Sequence, residues 1–310
     1  MAKKIIFMGT PLFAVPILKS LYQNGYPISV VYTQPPQKSH RGHKINKSPI
    51  QGISETLNID FRCPENLRNN DEEYKYIKNL DADLAIVVAY GQIIPKNFFD
   101  LTKKGFINIH GSILPKWRGA APIQRSIMNL DNEVGISIMK IVEKLDSGPV
   151  SNIHKIQLSR NDNAVEISER LSFLASEKIL DDVDDILEDK AKFINQDHSK
   201  ATYAEKITKN EGKINWNDEA IKIIGKINGL FPSPGAFFSF NGERYKILKA
   251  EIGNGIGKIG EIISDNLEIV CGNNKSIKIL EIQREGKKVQ KIGEFMLGSQ
   301  IKKGSVILNA

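Results

Sequence analysis

The sequence predicts an α/β protein whose doubly wound, mostly parallel sheet is followed by a small β-barrel. An apolar strand at 3–8 leads through a Gly-Thr-Pro turn into a helix at 12–24 and a second strand at 28–33. This βαβ unit is typical of parallel sheets that are covered by helices. Beyond residue 206 the chain changes to short Ile, Val and Phe strands between Gly and Asn turns, which is typical of a small barrel.

The other elements of the first domain follow from hydrophobic periodicity and from turn residues. They are predicted to be a helix at 72–80, a strand at 84–89, a strand at 105–109, a helix at 121–130, a strand at 134–142 and a helix at 163–187. Asn163 is a candidate N-cap for the last helix. The acidic residues at the end of that helix, between 181 and 189, are predicted to form a solvated face.

A chain of 310 residues is long enough for two domains. The polar run at 195–202 is typical of a linker between them. We therefore predict a Rossmann-like domain at 1–194, a linker at 195–205 and an OB-like β-barrel at 206–310. The barrel strands are expected at 236–240, 246–250, 260–264, 267–271, 276–282 and 305–308.

The net charge of +7 is concentrated in the last third of the chain. Residues 206–310 contain 17 Lys and Arg and 11 Asp and Glu, which accounts for +6 of that charge. A basic terminal domain on a near-neutral body indicates an anionic partner, of which nucleic acid is the commonest. A solvated, lysine-rich surface is the alternative.

Several classes of protein are disfavoured. The first apolar run ends at Gly9, too early for a signal peptide, and no stretch is long enough to span a membrane, so we expect a cytoplasmic protein without membrane contact. Cys63 and Cys271 lie far apart without metal-ligand spacing, which indicates reduced thiols and no metal. The turn after the first strand lacks the Gly-x-Gly-x-x-Gly fingerprint, which disfavours a nicotinamide cofactor.

The segment 34–48 is a polar loop with several basic residues and no acid before Glu55. Loops of this length inside a compact domain are usually functional or disordered. Its basic residues favour contact with phosphate groups, and a mobile, solvated loop is the alternative. The basic residues are Lys38, Arg41, Lys44 and Lys47.

The stretch 108–119 is the most promising candidate for chemistry. Asn108 and His110 are two residues apart at the end of a predicted strand, so their side chains leave it on one face. An amide donor and an imidazole on one face can stabilise a developing oxyanion. Asp146, in a turn after the strand at 134–142, is a candidate partner that would fix the tautomer of His110. Alternatively, Asn108 and His110 satisfy buried backbone groups and Asp146 is an ordinary turn residue.

Ligands of open α/β sheets bind beyond the carboxyl ends of the strands. Tyr90 and Gly91, at the end of the strand at 84–89, should therefore lie on the same rim as Asn108 and His110. The stretch contains no nucleophile in a suitable context, since Ser112 lacks the strand-to-helix elbow that activates a serine. The pattern favours direct transfer of an already activated group to a nucleophile of the substrate.

The motif at 108–115, Asn-Ile-His-Gly-Ser-Ile-Leu-Pro, resembles that of the folate-dependent formyltransferase family. Its extension, Lys-Trp-Arg-Gly-Ala-Ala-Pro-Ile-Gln at 116–124, resembles the branch of that family that acts on methionyl-tRNA. The resemblance extends over nearly the whole chain. Further matching segments lie at 9–11, 88–91, 145–148, 202–206 and 231–237.

The resemblance implies a monomeric enzyme that takes a formyl group from 10-formyltetrahydrofolate, without a metal, and transfers it to the methionyl α-amine of charged initiator tRNA. The implied catalytic residues are Asn108, His110 and Asp146, and the implied donor-binding residues are Tyr90, Gly91, Ser112, Ile113, Leu114 and Pro115. The implied tRNA-binding residue is Arg41, to which the basic charge of the loop adds Lys44 and Lys47. Two alternatives remain, namely a formyltransferase that acts on a sugar-nucleotide amine and a non-catalytic RNA-binding protein.

Overall fold

The computed structural model describes residues 3–38 and 45–308. The chain divides into two compact units. The first comprises residues 1–119, 134–156 and 168–203, and the second comprises 120–133, 157–167 and 204–310. Within the described residues, no helix combines the length and the apolar character that a membrane crossing requires.

The first half of the chain contributes the strands of a mostly parallel sheet and a few shorter strands. These strands are β1 Ile5–Gly9, β2 Ile28–Tyr32, β3 Gln37–Lys38, β4 Ile45–Asn46, β5 Phe61–Arg62, β6 Leu84–Val88, β7 Phe106–His110, β8 Arg118–Gly119, β9 Glu133–Lys140 and β10 Val150–Gln157. The main sheet has the order β10-β9-β7-β6-β1-β2-β5. Its central strands are parallel, and β9 runs antiparallel to β7.

The strands β1 and β6 are buried along their whole length. Strands covered on both faces need apolar residues at every position, which is why these two read as continuous apolar runs. The predicted doubly wound, mostly parallel sheet is confirmed. Its register aligns Val87 of β6 with Asn108 of β7, and His110 of β7 with Ser137 of β9.

The helices are α1 Val15–Gln23, α2 Pro49–Thr56, α3 Asp71–Asn79, α4 Pro122–Met128, α5 Ala164–Leu187, α6 Ala220–Gly229 and α7 Ile292–Leu297. Short 3-10 turns occur at Leu12–Ala14, Lys96–Phe98, His198–Lys200 and Asn210–Gly212. The helix predicted at 12–24 therefore begins with a 3-10 turn, and its regular part starts at Val15. Pro16 is tolerated there because the first turn of a helix leaves its N–H groups unbonded.

The edge strand β10 was absent from the sequence prediction. Its residues alternate between partly buried and exposed positions, because one face of an edge strand meets solvent. The exposed face carries Lys155 and Gln157, and the partly buried face carries the polar Asn152 and His154, so polar residues on both faces hide the pattern of a strand. The turn before β10 is held against β9 by a hydrogen bond from Lys140 N to Pro149 O at 2.9 Å.

Helix α5 begins where the sequence predicts. The Asn163 side chain accepts hydrogen bonds from the N–H groups of Val165 and Glu166 at 3.0 and 3.1 Å. The Glu166 carboxylate in turn accepts from the N–H of Asn163 at 3.0 Å. This reciprocal pair is a capping box, which satisfies N–H groups that the helix itself leaves unbonded.

We expect Asn163→Ala to lower the free energy of unfolding by about 1 kcal/mol, as the loss of an N-cap usually does. The midpoint of urea unfolding measures this change. Asn161→Ala, at an exposed position two residues earlier, is the matched control and should leave the midpoint unchanged. Equal midpoints for the two variants would contradict a stabilising role for the cap.

The predicted solvated face at the end of α5 is wrong at Asp182, whose carboxylate is buried. It accepts hydrogen bonds from His154 Nε2 at 2.9 Å and from Asn152 Nδ2 at 2.5 Å, both on β10. Asp184 accepts from the hydroxyl of Tyr26 at 2.8 Å, and burial, together with this bond, raises the pKa of Tyr26. The acidic run therefore includes residues that tie α5 to the sheet.

The polar segment predicted as a linker at 195–205 is packed at its beginning. Ile194 and Val150 exchange two backbone hydrogen bonds of 2.9 Å, which extends the pairing at the edge of the sheet. The side chain of Gln196 is buried and bonded within the first unit. A buried amide with several partners cannot belong to a freely moving linker.

The second unit contains a curled antiparallel sheet, a half-barrel, which confirms the predicted small barrel fold. The strands in the last third of the chain are β11 Tyr203–Ala204, β12 Ala236–Phe240, β13 Glu243–Gly253, β14 Glu268–Val270, β15 Ser276–Arg284 and β16 Gln290–Lys291. The sheet order is β12-β13-β15-β14, with β16 paired to β15. The register of β13 and β15 shifts between Ile247 and Ala250, and such irregularities bend a strand and increase its twist.

Two of the predicted barrel strands are not regular strands. Residues 260–264 and 305–308 meet only in isolated bridges, such as that between Glu261 and Val306. Turns at Gly260 and Gly304, both with positive φ, limit the length over which these segments can pair. The helix α7 was also not predicted.

An aromatic cluster fills the core of the second unit. Trp216 packs edge-on against Phe238, which stacks on Tyr245, and Tyr245 meets Phe295 edge-on, with ring centroids 5.4–5.9 Å apart. Burial of large aromatic side chains is a major source of stability in small domains. On β12, the side chains of Ala236 and Phe238 lie in this core.

Helix α4 belongs to the second unit although it lies in the middle of the chain. It packs against α6, where two glycines allow close approach. A Cβ atom on Gly225 would lie 2.7 Å from Leu130 Cδ2, and one on Gly229 would lie 2.6 Å from Met128 Cγ. Arg125 Nη1 also bonds Glu211 Oε2 at 2.6 Å, and this bond lowers the pKa of Glu211.

Candidate active site

The carboxyl end of β7 positions the first two candidate residues. Asn108 lies between Val87 of β6 and Met139 of β9, and His110 follows two residues later on the same face. The imidazole of His110 is buried. Among the described residues, the carboxamide of Asn108 has no hydrogen-bonding partner, although neighbouring strands surround it. Its polar atoms are therefore available to a bound molecule.

The tautomer of His110 is defined by a main-chain carbonyl. Its Nε2 atom lies 2.9 Å from the carbonyl oxygen of Trp117. Because a carbonyl oxygen can only accept, Nε2 carries the hydrogen and donates it. The other nitrogen, Nδ1, is then the one that can take up or release a proton. The sequence predicts that Asp146 fixes the tautomer; the structure corrects this, because Trp117 does so.

The carboxylate of Asp146 faces the free side of the imidazole. Its Oδ2 atom lies 3.7 Å from His110 Nδ1, slightly beyond hydrogen-bonding distance. The same oxygen accepts a hydrogen bond of 2.8 Å from the N–H of Gly119. Both side chains are about nine-tenths buried. The structure therefore brings His110 and Asp146 together, with a gap that a small polar group or a proton-bearing atom of a substrate can bridge.

The loop 112–115 is held by its own polar groups and by a residue that the sequence does not reveal. Ser112 donates its hydroxyl hydrogen to Lys116 O at 2.6 Å, and Leu114 packs in a buried cluster with Met139. The buried hydroxyl of Ser137 donates to Ser112 O at 2.7 Å and accepts from Leu114 N at 3.1 Å. With the Ser112 and Leu114 side chains turned inward, the loop offers mainly main-chain groups and the partly buried Ile113 and Pro115.

Tyr90 and Gly91 follow β6 on the same rim of the sheet. The Tyr90 ring is buried in the core of the first unit, and Thr10 donates its hydroxyl hydrogen to Tyr90 O at 2.8 Å. Gly91 has φ +82°, which favours glycine, and its carbonyl accepts from Gln34 Nε2 at 2.8 Å. A Cβ on Gly91 would lie 2.2 Å from that nitrogen. Thr10, in the matching segment at 9–11, and Gln34, which lies in no such segment, are thus further rim residues.

Comparison with known proteins identifies the family. The formyl transferase profile matches residues 3–183, and the profile of the formyl transferase C-terminal domain matches residues 206–300. The chain belongs to the formyl transferase family. It is 68% identical over 309 residues to a methionyl-tRNA formyltransferase of Pelagibacter ubique, with full coverage of both chains. A methionyl-tRNA formyltransferase of Jannaschia is 38% identical, over 98% of this chain and 99% of the relative.

Solved structures support the same fold. A sugar 3N-formyl transferase, crystallised in the presence of dTDP and 5-N-formyl-THF, superposes with a TM-score of 0.69 over 93% of this chain and 100% of its own. An N-formyltransferase of Helicobacter canadensis, in complex with folinic acid and dTDP-3-aminofucose, superposes with a TM-score of 0.68 over 92% and 100%. Both are 19% identical to this formyl transferase, so they establish the architecture and not the acceptor.

The basic loop of this formyl transferase is only partly described. Arg41 and Lys44, two of the predicted tRNA-binding residues, lie outside the described residues. The loop is not structureless throughout, since β3 and β4 pair as antiparallel strands. The third predicted residue, Lys47, forms an ion pair with Glu55, with Nζ 2.9 and 3.0 Å from the carboxylate oxygens. Its charge is therefore partly neutralised within the protein.

Of the two cysteines of this formyl transferase, Cys63 is partly buried and Cys271 is buried. Burial raises the pKa of the Cys271 thiol to about 12, and burial also raises that of Cys63. A thiol with a raised pKa is a poor nucleophile at neutral pH, which is consistent with the predicted structural role. In the described part of the chain, no group of three His, Cys, Asp or Glu side chains is arranged to hold a metal ion.

Proposed function

We propose that this chain transfers the formyl group of 10-formyltetrahydrofolate to the α-amino group of methionyl initiator tRNA, for the initiation of translation. One observation carries the proposal: the buried His110–Asp146 pair beside Asn108 lies in a chain that is 68% identical, over its full length, to a relative named methionyl-tRNA formyltransferase. The excess positive charge of residues 206–310 suits an RNA acceptor.

Asn108 stabilises the negative charge that develops on the formyl oxygen. When the amine nitrogen adds to the formyl carbon, the carbonyl π electrons move to that oxygen. A fixed amide donor in a dry, rigid site is worth far more to such an oxyanion than water is. The unbonded carboxamide of Asn108 at the end of β7 fits this role, because it loses no protein hydrogen bond when the substrate arrives.

His110 and Asp146 handle the protons of the reaction. The amine gains a positive charge as it adds, and it must lose a proton before the carbon–nitrogen bond to the donor breaks. The Asp146 carboxylate accepts this proton, directly or through a water molecule. From Asp146 the proton passes to His110 Nδ1, 3.7 Å away, and then to the departing nitrogen of the donor.

The folate donor is held at the rim made by Tyr90, Gly91 and the loop 112–115. The donor supplies a formyl group that is already activated, so the chain needs no nucleophile of its own. Because the Ser112 and Leu114 side chains are buried, the loop binds the donor chiefly through main-chain groups. Ser137 keeps these groups in place through its two hydrogen bonds.

The acceptor also bears on the cellular compartment and the oligomeric state of the enzyme. Charged initiator tRNA is a cytoplasmic substrate, so the enzyme works in the cytoplasm. One chain carries the proposed catalytic residues as well as the basic second unit, and we therefore propose that it acts as a monomer. We further propose that Arg41 and Lys44 contact the acceptor stem of the tRNA.

The direct test is formylation of methionine. The purified protein is incubated with 10-formyltetrahydrofolate and charged initiator tRNA, and the released amino acid is analysed by mass spectrometry. Formylmethionine is the expected product. A parallel reaction offers an amino-sugar nucleotide as acceptor; formylation of the sugar alone would favour the rival enzyme, and no product with either acceptor would favour a non-catalytic RNA-binding protein.

We expect Arg41→Ala to weaken tRNA binding and to reduce the slope of log Kd against log salt by about 1, as the loss of one phosphate contact does. Lys47→Ala is the matched comparison and should have a smaller effect, because Glu55 already pairs with Lys47. Filter binding at several salt concentrations measures both. Folate titration by fluorescence should be unchanged, and a large loss of folate affinity in Arg41→Ala would contradict the assignment.

A further inference from the structure

A buried arginine lies next to the catalytic pair. Arg118 is almost completely inaccessible to solvent, and among the described residues it has no carboxylate partner. Its Nε and Nη2 atoms donate instead to Gln196 Oε1, at 3.1 and 2.7 Å, and Nη2 also lies 2.9 Å from His198 Nδ1. A buried cation without a counter-ion is unfavourable unless neutral dipoles surround it. The burial of Arg118 therefore indicates that this side chain has a specific role.

Gln196 links Arg118 to the Asp146 turn through hydrogen bonds. Its Nε2 atom donates to Asp146 O at 3.0 Å and to Gly148 O at 2.8 Å. Both hydrogens of the amide nitrogen and both lone pairs of the amide oxygen are thus used. The amide has only one orientation that satisfies all four groups. The adjacent guanidinium polarises the amide and strengthens its donation to the two carbonyls.

The Asp146 turn needs such support. Asp146 has φ +48°, in the left-handed region that disfavours most side chains. Gly148 approaches β9 so closely that a Cβ atom would lie 1.9 Å from Lys140 O. The bonds from Gln196 hold the two carbonyls of this turn, while the Asp146 carboxylate is held by the N–H of Gly119.

Three consecutive residues therefore define the geometry of the proton-transfer pair. The Trp117 carbonyl orients the imidazole of His110, the Arg118 side chain holds Gln196, and the Gly119 N–H holds the Asp146 carboxylate. A displacement of about 1 Å at a reacting group can lower a rate by about 10²-fold. Small changes in the Arg118–Gln196 contact are thus able to alter catalysis without touching the substrate.

We propose that Arg118 and Gln196 are positioning residues that set the spacing between His110 and Asp146. This inference rests on the proposed function, because it assigns Asp146 a role in proton transfer. Gln196 acts through the main chain of the turn and Arg118 acts through Gln196. Neither touches the substrate.

The test uses Gln196→Glu in the full-length protein. The new carboxylate keeps the shape of the side chain and still accepts from Arg118, but it cannot donate to the carbonyls of Asp146 and Gly148. We expect a fall in kcat of about 10- to 100-fold, with KM for tRNA and for the donor within twofold of the wild type. Gln23→Glu, an exposed change of the same type, is the control for added charge and should leave kcat unchanged.

A double-mutant cycle separates positioning from a general structural defect. If Gln196 acts through the Asp146 carboxylate, Gln196→Glu should have little further effect on single-turnover rates in an Asp146→Asn background. A merely structural role would lower the rate by the same factor in both backgrounds, and that outcome would overturn the proposal. So would an unchanged kcat in the single variant.

Circular dichroism shows whether Gln196→Glu is folded. If it is not folded, a second variant tests the same proposal. Arg118→Lys retains the charge but lacks the planar fork with which Nε and Nη2 both bond Gln196, so kcat should fall about threefold to tenfold, and again only when Asp146 is present. Equal factors in both backgrounds would again overturn the proposal. Absence of formylmethionine with the wild-type protein would instead reject the proposed function itself.

Discussion

Replacing Asn108 by alanine should lower kcat by about 10²–10³-fold, as the loss of one oxyanion donor usually does. The side chain is not bonded to any of the described residues, so its removal should leave the fold intact. Steady-state kinetics with saturating tRNA and donor measure the effect. KM should change little, because the interaction becomes strong only when charge develops on the formyl oxygen.

A second substitution at the same position tests the electrostatic origin of the effect. Asn108→Asp keeps the shape of the side chain but places a negative charge beside the developing oxyanion, so this variant should be slower than Asn108→Ala. If Asn108 only fills space, the aspartate would instead be the milder change. Asn161→Ala, at an exposed position, serves as the control and should retain full activity.

Asp146→Asn should lower kcat by about 10²–10⁴-fold, the usual contribution of a general base. The amide oxygen of asparagine can still accept the hydrogen bond from Gly119, so the turn should keep its conformation. Only the ability to take up a proton is lost. Single-turnover formylation with excess enzyme measures the chemical step without product release.

The matched control for the change in charge is Asp265→Asn, which removes a carboxylate at an exposed position in the second unit. Its kcat should equal that of the wild type. If Asp146→Asn stays within threefold of the wild type, Asp146 does not accept the proton, and His110 Nδ1 would be the remaining candidate among the residues identified.

Local patterns in the sequence were sufficient to predict the inner strands of the sheet and the positions of Asn108 and His110. A strand fixes the direction of every second side chain, so an Asn-x-His pair at its end is informative by itself. The cap of α5 at Asn163 could be predicted for the same reason, because all its partners lie within three residues.

The supports of the site could not be predicted, because their contacts join distant parts of the chain. Gln196 meets Arg118 across 78 positions, and Ser137 meets Ser112 across 25. Neither residue differs locally from an ordinary polar residue in a strand or a loop. Asp182 illustrates the same limit, since five other acids between 181 and 189 conceal the one that is buried against His154.

The helix α4, Pro122–Met128, has a consequence for how the chain is made. Its partner in the second unit, α6, begins at Ala220, about ninety residues later in the order of synthesis. When α4 leaves the ribosome, the helix α6 that packs against it has not yet been translated. The second unit can close only after residue 229 has emerged, and until then the side of α4 that packs against Gly225 and Gly229 must be shielded from other nascent chains.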